Sequence, residues 1–327
     1  MKSYSSNDFK ITVIIPAYNS EQFITNAINS ALTQTFRPHE IIVIDDSSKD
    51  NTVAIVKKSF GSSVKLLTNH ENRGAAATRN IGIKAASGNW IAFLDSDDEW
   101  MPNHLESLFH IIQKYALKWA CGQHQNIRDG KVIPRPHSKW KDFHKEDAYF
   151  ENFFEAWGHE APIITSGMLI NKNSALIAGL FNETLTVAED IDFWFKIAYI
   201  TPKFGLSKNP TVQHYLRTHS LSTSDVNRAE LFLELLQQHT KFSSKKHLTS
   251  TLFLPSARKI VRWIIEYAIK SNNRDVLKKI FYNYPAIIGN DFMLLRWIYS
   301  LPAGLKLFRY LHFCKLKTIA LLHKHNG

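Results

Sequence analysis

Three short apolar runs dominate the first hundred residues: KITVIIP at 10–16, EIIVI at 40–44 and WIAFL at 90–94. Each is too short for a helix and rich in β-branched or aromatic side chains, the pattern of a strand buried on both faces. Residues 64–68 read as a further strand. Between the runs the apolar period lengthens to that of a helix. Phe23, Ile24, Ala27, Ile28, Ala31 and Leu32 mark a helix over 21–32 with Ser20 as its N-cap, and Val53, Ile55 and Val56 mark one that Asp50 can cap. Residues 75–86 form an alanine-rich helix closed by Gly88. Strands alternating with helices predict an α/β fold, a mostly parallel sheet with helices on both faces. Ligands of such sheets sit beyond the carboxyl ends of the strands. Three of those ends carry polar clusters here: Pro16-Ala17-Tyr18-Asn19, Asp45-Asp46 and Asp95-Ser96-Asp97-Asp98.

The pattern blurs after about residue 120. Residues 121–160, rich in His, Lys, Trp and Pro, read as a variable loop region; 163–170 reads as a strand and 191–199 as a helix. From about residue 228 the pattern is helical to the end, broken at Pro255, Pro285 and Pro302. Charge divides at nearly the same place. The net charge is +11, yet residues 241–327 hold 16 Lys+Arg against three acids, so all the excess positive charge lies in the last quarter. Such a tail meets an anionic partner or presents a solvated basic face. Within it, Leu305, Leu307, Phe308, Leu311 and Phe313 alternate with Lys306, Arg309, Lys315 and Lys317, a pattern suited to a membrane interface or to packing on the body. No uncharged run reaches the ~18 residues that argue for a spanning helix. The polar start MKSYSSNDFK shows no secretory signal, and two distant cysteines, Cys121 and Cys314, exclude a disulfide scaffold and a cysteine zinc site.

A G-x-G-x-x-G after the first strand and a G-x-x-x-x-G-K-[ST] are both missing, which removes the main support for a dinucleotide oxidoreductase or a P-loop NTPase. Carboxylates at a strand end can instead hold a hard divalent cation that bridges nucleotide phosphates. In an extended backbone Asp95 and Asp97 point the same way and Asp98 elsewhere; the plainer reading is a turn in which Asp98 and Glu99 start the helix after Pro102. Asp45 and Asp46 serve either as turn residues or as acceptors for a base N–H or a ribose hydroxyl. Tyr18 offers a face for stacking, and Arg79 is either a surface charge or a ligand for an anion. In Glu189-Asp190-Ile191-Asp192 the acids either cap a helix or supply a general base. His219 is one of 15 histidines and is weak alone.

Taken in order and spacing, VIIPAYNS, EIIVIDDSSKDNT, ENRGAAATRNIGIKAASGNWIAFLDSDD and VAEDIDFWFKI resemble the family-2 glycosyltransferases, over roughly residues 10–225. The resemblance implies a GT-A domain over 1–227, with 1–100 as the nucleotide-binding half and 101–227 as the acceptor half, followed by a basic helical region over 228–327. It implies that Pro16 and Tyr18 line the nucleobase pocket, that Asp46 accepts from the base while Asp45 supports the strand end, and that Arg79 lies near the base or diphosphate. Asp95-Ser96-Asp97 matches the family's DxD, in which one aspartate contacts ribose and another, Asp97 or Asp98, coordinates Mg²⁺ or Mn²⁺. Asp190 matches the catalytic base, and His219 falls where many members have a histidine near the diphosphate or metal. Thr165-Ser166-Gly167 resembles the acceptor-side strand before the ED motif. The implied reaction is inverting transfer from a nucleotide-sugar, a UDP-sugar first, to a glycan or lipid-linked hydroxyl in surface polysaccharide synthesis, by a cytoplasmic protein peripheral to the membrane through its tail. Nucleic acid is not an expected partner. The competing readings are a nucleotidyltransferase of related fold, for which PAYNSEQF lacks the Gly-rich triphosphate loop, and a non-enzymatic binder of anionic polymer or nucleic acid.

Overall fold

The computed structural model describes residues 9–133, 148–216, 227–245 and 250–288. The chain divides into two compact units, Met1–Ser224 and Asp225–Gly327.

The first unit opens with β1 (Ile11–Ala17), α1 (Ile24–Leu32), β2 (Glu40–Asp45), α2 (Thr52–Phe60), β3 (Lys65–Thr68), α3 (Gly74–Ala85) and β4 (Trp90–Phe93). It continues with β5 (Glu99–Trp100), α4 (His104–Tyr115), β6 (Trp119–Arg128), β7 (Lys131–Ile133), β8 (Ala148–Phe150) and α5 (Phe153–Gly158). A 3-10 turn at Thr165–Gly167 leads into β9 (Met168–Asn171), α6 (Lys172–Ile177), α7 (Glu189–Ile200) and β10 (Phe204–Tyr215). The sheet has ten strands in the order β3-β2-β1-β4-β9-β6-β10-β5, with β7 added beside β6 and β8 beside β10. From β3 to β4 every pairing is parallel. Beyond β4 the sheet is mixed: β9 runs antiparallel to both β4 and β6, and β10 is parallel to β6.

The chain steps outward from β1 to β2 to β3 and then returns to the other side of β1 for β4. That reversal opens a crevice beyond the carboxyl ends of β1 and β4, the place where open α/β sheets bind ligands. Val13, Ile14, Ile15, Ile42, Val43, Ile91 and Phe93 are buried, so these strands hold the centre of the core. Helix α3 lies close on the sheet because residue 82 is glycine: a Cβ there would stand 2.6 Å from Ile14 Cγ2. Around β6 and α7 the core is aromatic, with Trp119, Phe153, Phe204 and Trp194 in contact.

Several local expectations are corrected. The first helix starts at Ile24, not Glu21, and its N-cap is Phe23, not Ser20; Ser20 takes the Phe23 and Ile24 N–H groups on its carbonyl, while its hydroxyl is engaged by the Tyr18 carbonyl and by Ser96 Oγ at 2.8 Å. Residues 121–160 are not loop throughout, since most of β6, β7, β8 and α5 fall there. Polar side chains hid β6: Gln123 and His124 bond Ser207 and Pro162 carbonyls. Residues 163–170 form the 3-10 turn before the strand begins at Met168. The helix after Pro102 starts at His104, capped at Asn103, with Asp98 and Glu99 outside it.

The second unit contains α8 (Arg228–Lys245), α9 (Ser250–Lys270), α10 (Arg274–Asn283) and α11 (Pro285–Ile288). Pro255 does not break the pattern. It sits in the second turn of α9 and costs one backbone hydrogen bond, while Phe253, Ala257, Ile260, Val261 and Ile264 bury the helix. Pro285 begins α11, a position proline favours. The expectations at Pro302 and over 304–322 lie outside the described residues.

Candidate active site

The three strand ends are tied together by short bonds. Ala17 stands in register with Asp45, and the Asp46 N–H donates to the Ala17 carbonyl at 2.8 Å. The Asn19 N–H donates to Ser48 Oγ at 2.9 Å and the Lys49 N–H to Asn19 Oδ1 at 2.8 Å, which clamps the loop after β1 to the loop after β2. The Ser20–Ser96 bond joins the same loop to the turn after β4. Asn19 (φ 49), Ser47 (φ 66) and Ala188 (φ 62) are all left-handed without being glycine. Such conformations persist where surroundings over-determine them, and here they gather on three loops of one site.

Pro16, half-buried, lies one residue inside the end of β1, and Tyr18 beyond the strand is 48% exposed, an open aromatic face. The two aspartates after β2 differ. Asp46 accepts from Asn69 Nδ2 at 2.7 Å, from the Arg73 N–H at 2.9 Å and from the Gly74 N–H at 2.8 Å. It caps α3 from a neighbouring strand, satisfying donors that no side chain of the helix's own start reaches. Gly74, at φ 82, makes the turn that aims those N–H groups. Asp45 accepts from the Ser48 N–H through Oδ2, but its buried Oδ1 has no partner among the described residues. Asp46 is therefore engaged in the frame, and Asp45 keeps one acceptor that no described residue fills.

Residues 95–98 are a turn, with the Asp98 N–H donating to the Asp95 carbonyl, rather than an extended segment. The three carboxylates consequently diverge. Asp95 Oδ1 accepts from Arg79 Nη2 at 2.7 Å. Asp98, 2% exposed, accepts from Ser166 Oγ at 2.6 Å, from His214 Nδ1 at 3.0 Å and from the Tyr215 N–H at 3.2 Å. Burial, then Asp98 and Asp95, push the Asp97 carboxyl up to about 6.

Arg79 is not a surface charge. Its side chain is 7% exposed, and it spans Asp95 and, through Nη1 at 3.2 Å, Glu189 Oε1. Those two carboxylates hold its pKa above the usual arginine value against the cost of burial. Asp190 is the second residue of α7, whose N-cap is the left-handed Ala188 rather than an acid. Its Oδ1 accepts the Ile191 N–H at 2.7 Å and its Oδ2 the Thr165 hydroxyl at 3.2 Å. Burial raises its carboxyl above the ordinary 3.8, with Arg79 pulling the other way. Glu189 is raised likewise, by burial and then by Asp190. The Thr165-Ser166 pair therefore links the turn after β4 to Asp190, since the Asp95 N–H donates to Ser166 Oγ at 3.1 Å.

Arg79, Asp95, Asp98 and Asp190 are joined through Glu189, Thr165 and Ser166, Ser96 is tied to the loop after β1 and Asp45 and Asp46 to the loop after β2 and the start of α3, and Asp97 lies in the turn between Asp95 and Asp98; His219 lies outside the described residues. Sequence reasoning missed His214, Glu189 as the partner of Arg79, and Asn80. His214 sits in VQHY, where only strand alternation and an unpaired aspartate elsewhere could have hinted at it. Among the described residues no three His, Cys, Asp or Glu side chains form a metal-holding group by themselves, and no helix is long and apolar enough to cross a membrane.

Residues 12–179 match the model of glycosyl transferase family 2. The β-1,3-glucosyltransferase WfgD of Escherichia coli, which acts between UDP-Glc and α-D-GlcNAc-diphosphoundecaprenol, is 40% identical over 127 residues, 39% of this chain and half of that protein's length. An uncharacterized glycosyltransferase of Haemophilus influenzae is 30% identical over 226 residues, 67% of this chain and 69% of its own. Among solved structures, S. aureus TarS 1-349 in complex with UDP-GlcNAc superposes with a TM-score of 0.62 over 80% of this chain and 73% of that one, at 22% identity. That likeness bears on the fold, and the family match and the Haemophilus relative bear on descent. The chain is a glycosyltransferase of family 2, built on the GT-A fold.

Proposed function

We propose that this protein transfers a sugar, with inversion, from a UDP-sugar to a hydroxyl of a lipid-linked GlcNAc-diphosphate acceptor in surface polysaccharide synthesis. The observation that carries the reading is the bonding of the Asp95–Asp98 turn to the Glu189-Asp190 pair through Arg79, Thr165 and Ser166. It sets donor-side carboxylates beside a carboxyl whose raised pKa suits a general base. The relatives WfgD and WfaP of Escherichia coli, both UDP-Glc:α-D-GlcNAc-diphosphoundecaprenol glucosyltransferases by name, support the choice of donor and acceptor.

In this reading the base stacks on Tyr18 beside the Asp45-Asp46 strand end. Asp190 takes the proton of the acceptor hydroxyl as that oxygen attacks the anomeric carbon, and the nucleoside diphosphate leaves from the opposite face. Direct displacement needs no enzyme nucleophile. Asp97 would hold Mg²⁺ or Mn²⁺, which are commonly bound by one or two carboxylates together with substrate phosphates. The oxygen donors of the Asp95–Asp98 turn fit such an ion, with Asp97 raised to about 6 by burial and then by Asp98 and Asp95, while Asp98 is already engaged by Ser166, His214 and Tyr215. When bound, the ion neutralises charge on the departing diphosphate.

Thermal shift with UDP and Mn²⁺, against UDP with EDTA, tests the donor side. Saturation near 100 times Kd stabilises by about 2.7 kcal/mol, about 5–10 °C for a domain of this size. EDTA is expected to remove most of that shift. A proton competes with the cation at Asp97, so the Mn²⁺-dependent part should fade as pH falls below about 6. No shift with UDP, dTDP or GDP would remove the donor reading.

The second unit supports a membrane-facing role. Arg274, Lys278, Lys279 and Tyr282, the last 84% exposed, share the open side of α10. Each basic residue near an anionic bilayer contributes about 1 kcal/mol. Lys278→Glu/Lys279→Glu should sediment with phosphatidylglycerol vesicles at least about tenfold less than wild type. Equal binding by the two proteins would dismiss this face as the contact.

A further inference from the structure

Asn80 lies in the middle of α3, where asparagine is a poor helix former, and is only 3% exposed. Its entire amide is spent on one segment. Oδ1 accepts the Phe181 N–H at 3.0 Å, and Nδ2 donates to the Phe181 carbonyl at 2.9 Å and to Glu183 Oε1 at 2.9 Å. The side chain pairs with residue 181 much as the peptide of an adjoining strand would.

That segment needs an external frame. Residues 178–188 contain no helix or strand, and Leu180 (φ 65) and Ala188 (φ 62) are left-handed without glycine's freedom. The segment runs straight into Glu189-Asp190. Its supports come largely from α3: Asn80 at Phe181 and Glu183, Arg73 at Glu183, and Arg79 at Glu189. The Phe181 ring completes the anchor, packed on Phe193 at 4.1 Å and Phe93 at 5.6 Å with the Arg79 guanidinium over its face. The Arg73–Glu183 pair is exposed and contributes little, so the buried amide is the main polar restraint within residues 178–188, upstream of the Arg79–Glu189 pair.

We propose that Asn80 is a positioning residue for sugar transfer: it fixes the segment that aims the Asp190 carboxylate, without touching donor or acceptor. This rests on Asp190 being the base. The same helix is capped by Asp46 at the nucleotide end, so α3 spans from the donor pocket to the base as one rigid piece.

Asn80→Ala and Asn80→Asp test it. The aspartate variant keeps an acceptor for the Phe181 N–H, loses the donor and sets a charge against Glu183. Turnover would be followed as UDP release from UDP-glucose with a GlcNAc-diphosphate lipid, UDP affinity by calorimetry, and amide hydrogen exchange over residues 178–192. Both variants should lose about 10- to 100-fold in kcat, keep donor KM and UDP affinity within about twofold, and exchange faster in that segment alone. Faster exchange with unchanged kcat overturns the proposal. So does a rise in donor KM at constant kcat, which would make Asn80 a donor contact. Failure of both variants to fold also overturns it, by assigning Asn80 to general stability. Asp190→Asn run in parallel separates the two readings: full turnover there removes the base, whereas its inactivity beside normal Asn80 variants removes only the role of Asn80.

Discussion

Asp190→Asn is expected to lower kcat by about 10³-fold, within the range that general-base help usually supplies, while leaving the UDP-induced thermal shift intact. The substitution is nearly isosteric, and the local bonds survive it. An amide oxygen can still accept the Ile191 N–H, and the Thr165 hydroxyl can turn to accept from the new amide. Stability should not fall either. Glu189 is raised by burial and then by its neighbour Asp190; removing that neighbour's charge lowers Glu189 and tightens its pair with Arg79. The pH profile gives an independent check. A base works only when deprotonated, and Asp190 is raised above 3.8 chiefly by burial. Activity of the wild type should therefore fall off on the acid side at a pH above the ordinary aspartate range. Near-normal transfer by the asparagine variant at any pH would take Asp190 out of the chemistry.

Residues 10–100 were legible because β1, β2 and β4 are buried on both faces, and such strands announce themselves as continuous apolar runs. β3, at the sheet edge, is only partly buried and shows as a shorter run. Residues 101–227 were less legible, for a physical reason. β6 turns half its side chains toward the site or toward polar backbone, so Gln123, His124 and Gln125 interrupt any period. The 3-10 turn at Thr165–Gly167 looks like a strand because tertiary bonds to Asp95, Asp98 and Asp190, absent from the local pattern, bend it.

Aspartates at strand ends are visible in the sequence; which of them has spare hydrogen-bonding capacity is not, because that depends on donors far along the chain. Asp46 is consumed by Asn69, Arg73 and Gly74, and Asp98 by Ser166, His214 and Tyr215. Asp45 Oδ1 keeps an acceptor that no described residue fills, and burial, then Asp98 and Asp95, raise the Asp97 carboxyl. The divergence of Asp95, Asp97 and Asp98 follows from a turn where alternation alone suggested a strand. A turn lets Asp95 meet Arg79 while Asp98, three residues on, meets His214.

Arg79→Met should be the most damaging single change to the first unit, with a loss of about 3 kcal/mol or more, the scale seen when one partner of a buried ion pair is removed. For a domain of this size that is a fall in Tm of about 6–12 °C. The methionine fills the space beside Phe181, so the loss is electrostatic: Asp95 and Glu189 are left facing each other without the guanidinium they share. The dependence on pH has a definite sign. Arg79 lowers the Glu189 and Asp190 carboxyls, so without it both rise further and ionising them costs the folded state more. The deficit of the variant is then largest at neutral pH and shrinks as pH falls and the two acids protonate. Arg79→Met/Glu189→Gln should recover part of the stability by removing one of the stranded charges, but not the activity, because the α7 start loses its tie to the turn after β4. Arg79→Lys keeps a charge without the fork that reaches two carboxylates at once, and should fall between wild type and methionine. Equal melting temperatures for wild type and Arg79→Met across pH 5–8 would mean that the two motifs are held together by packing alone.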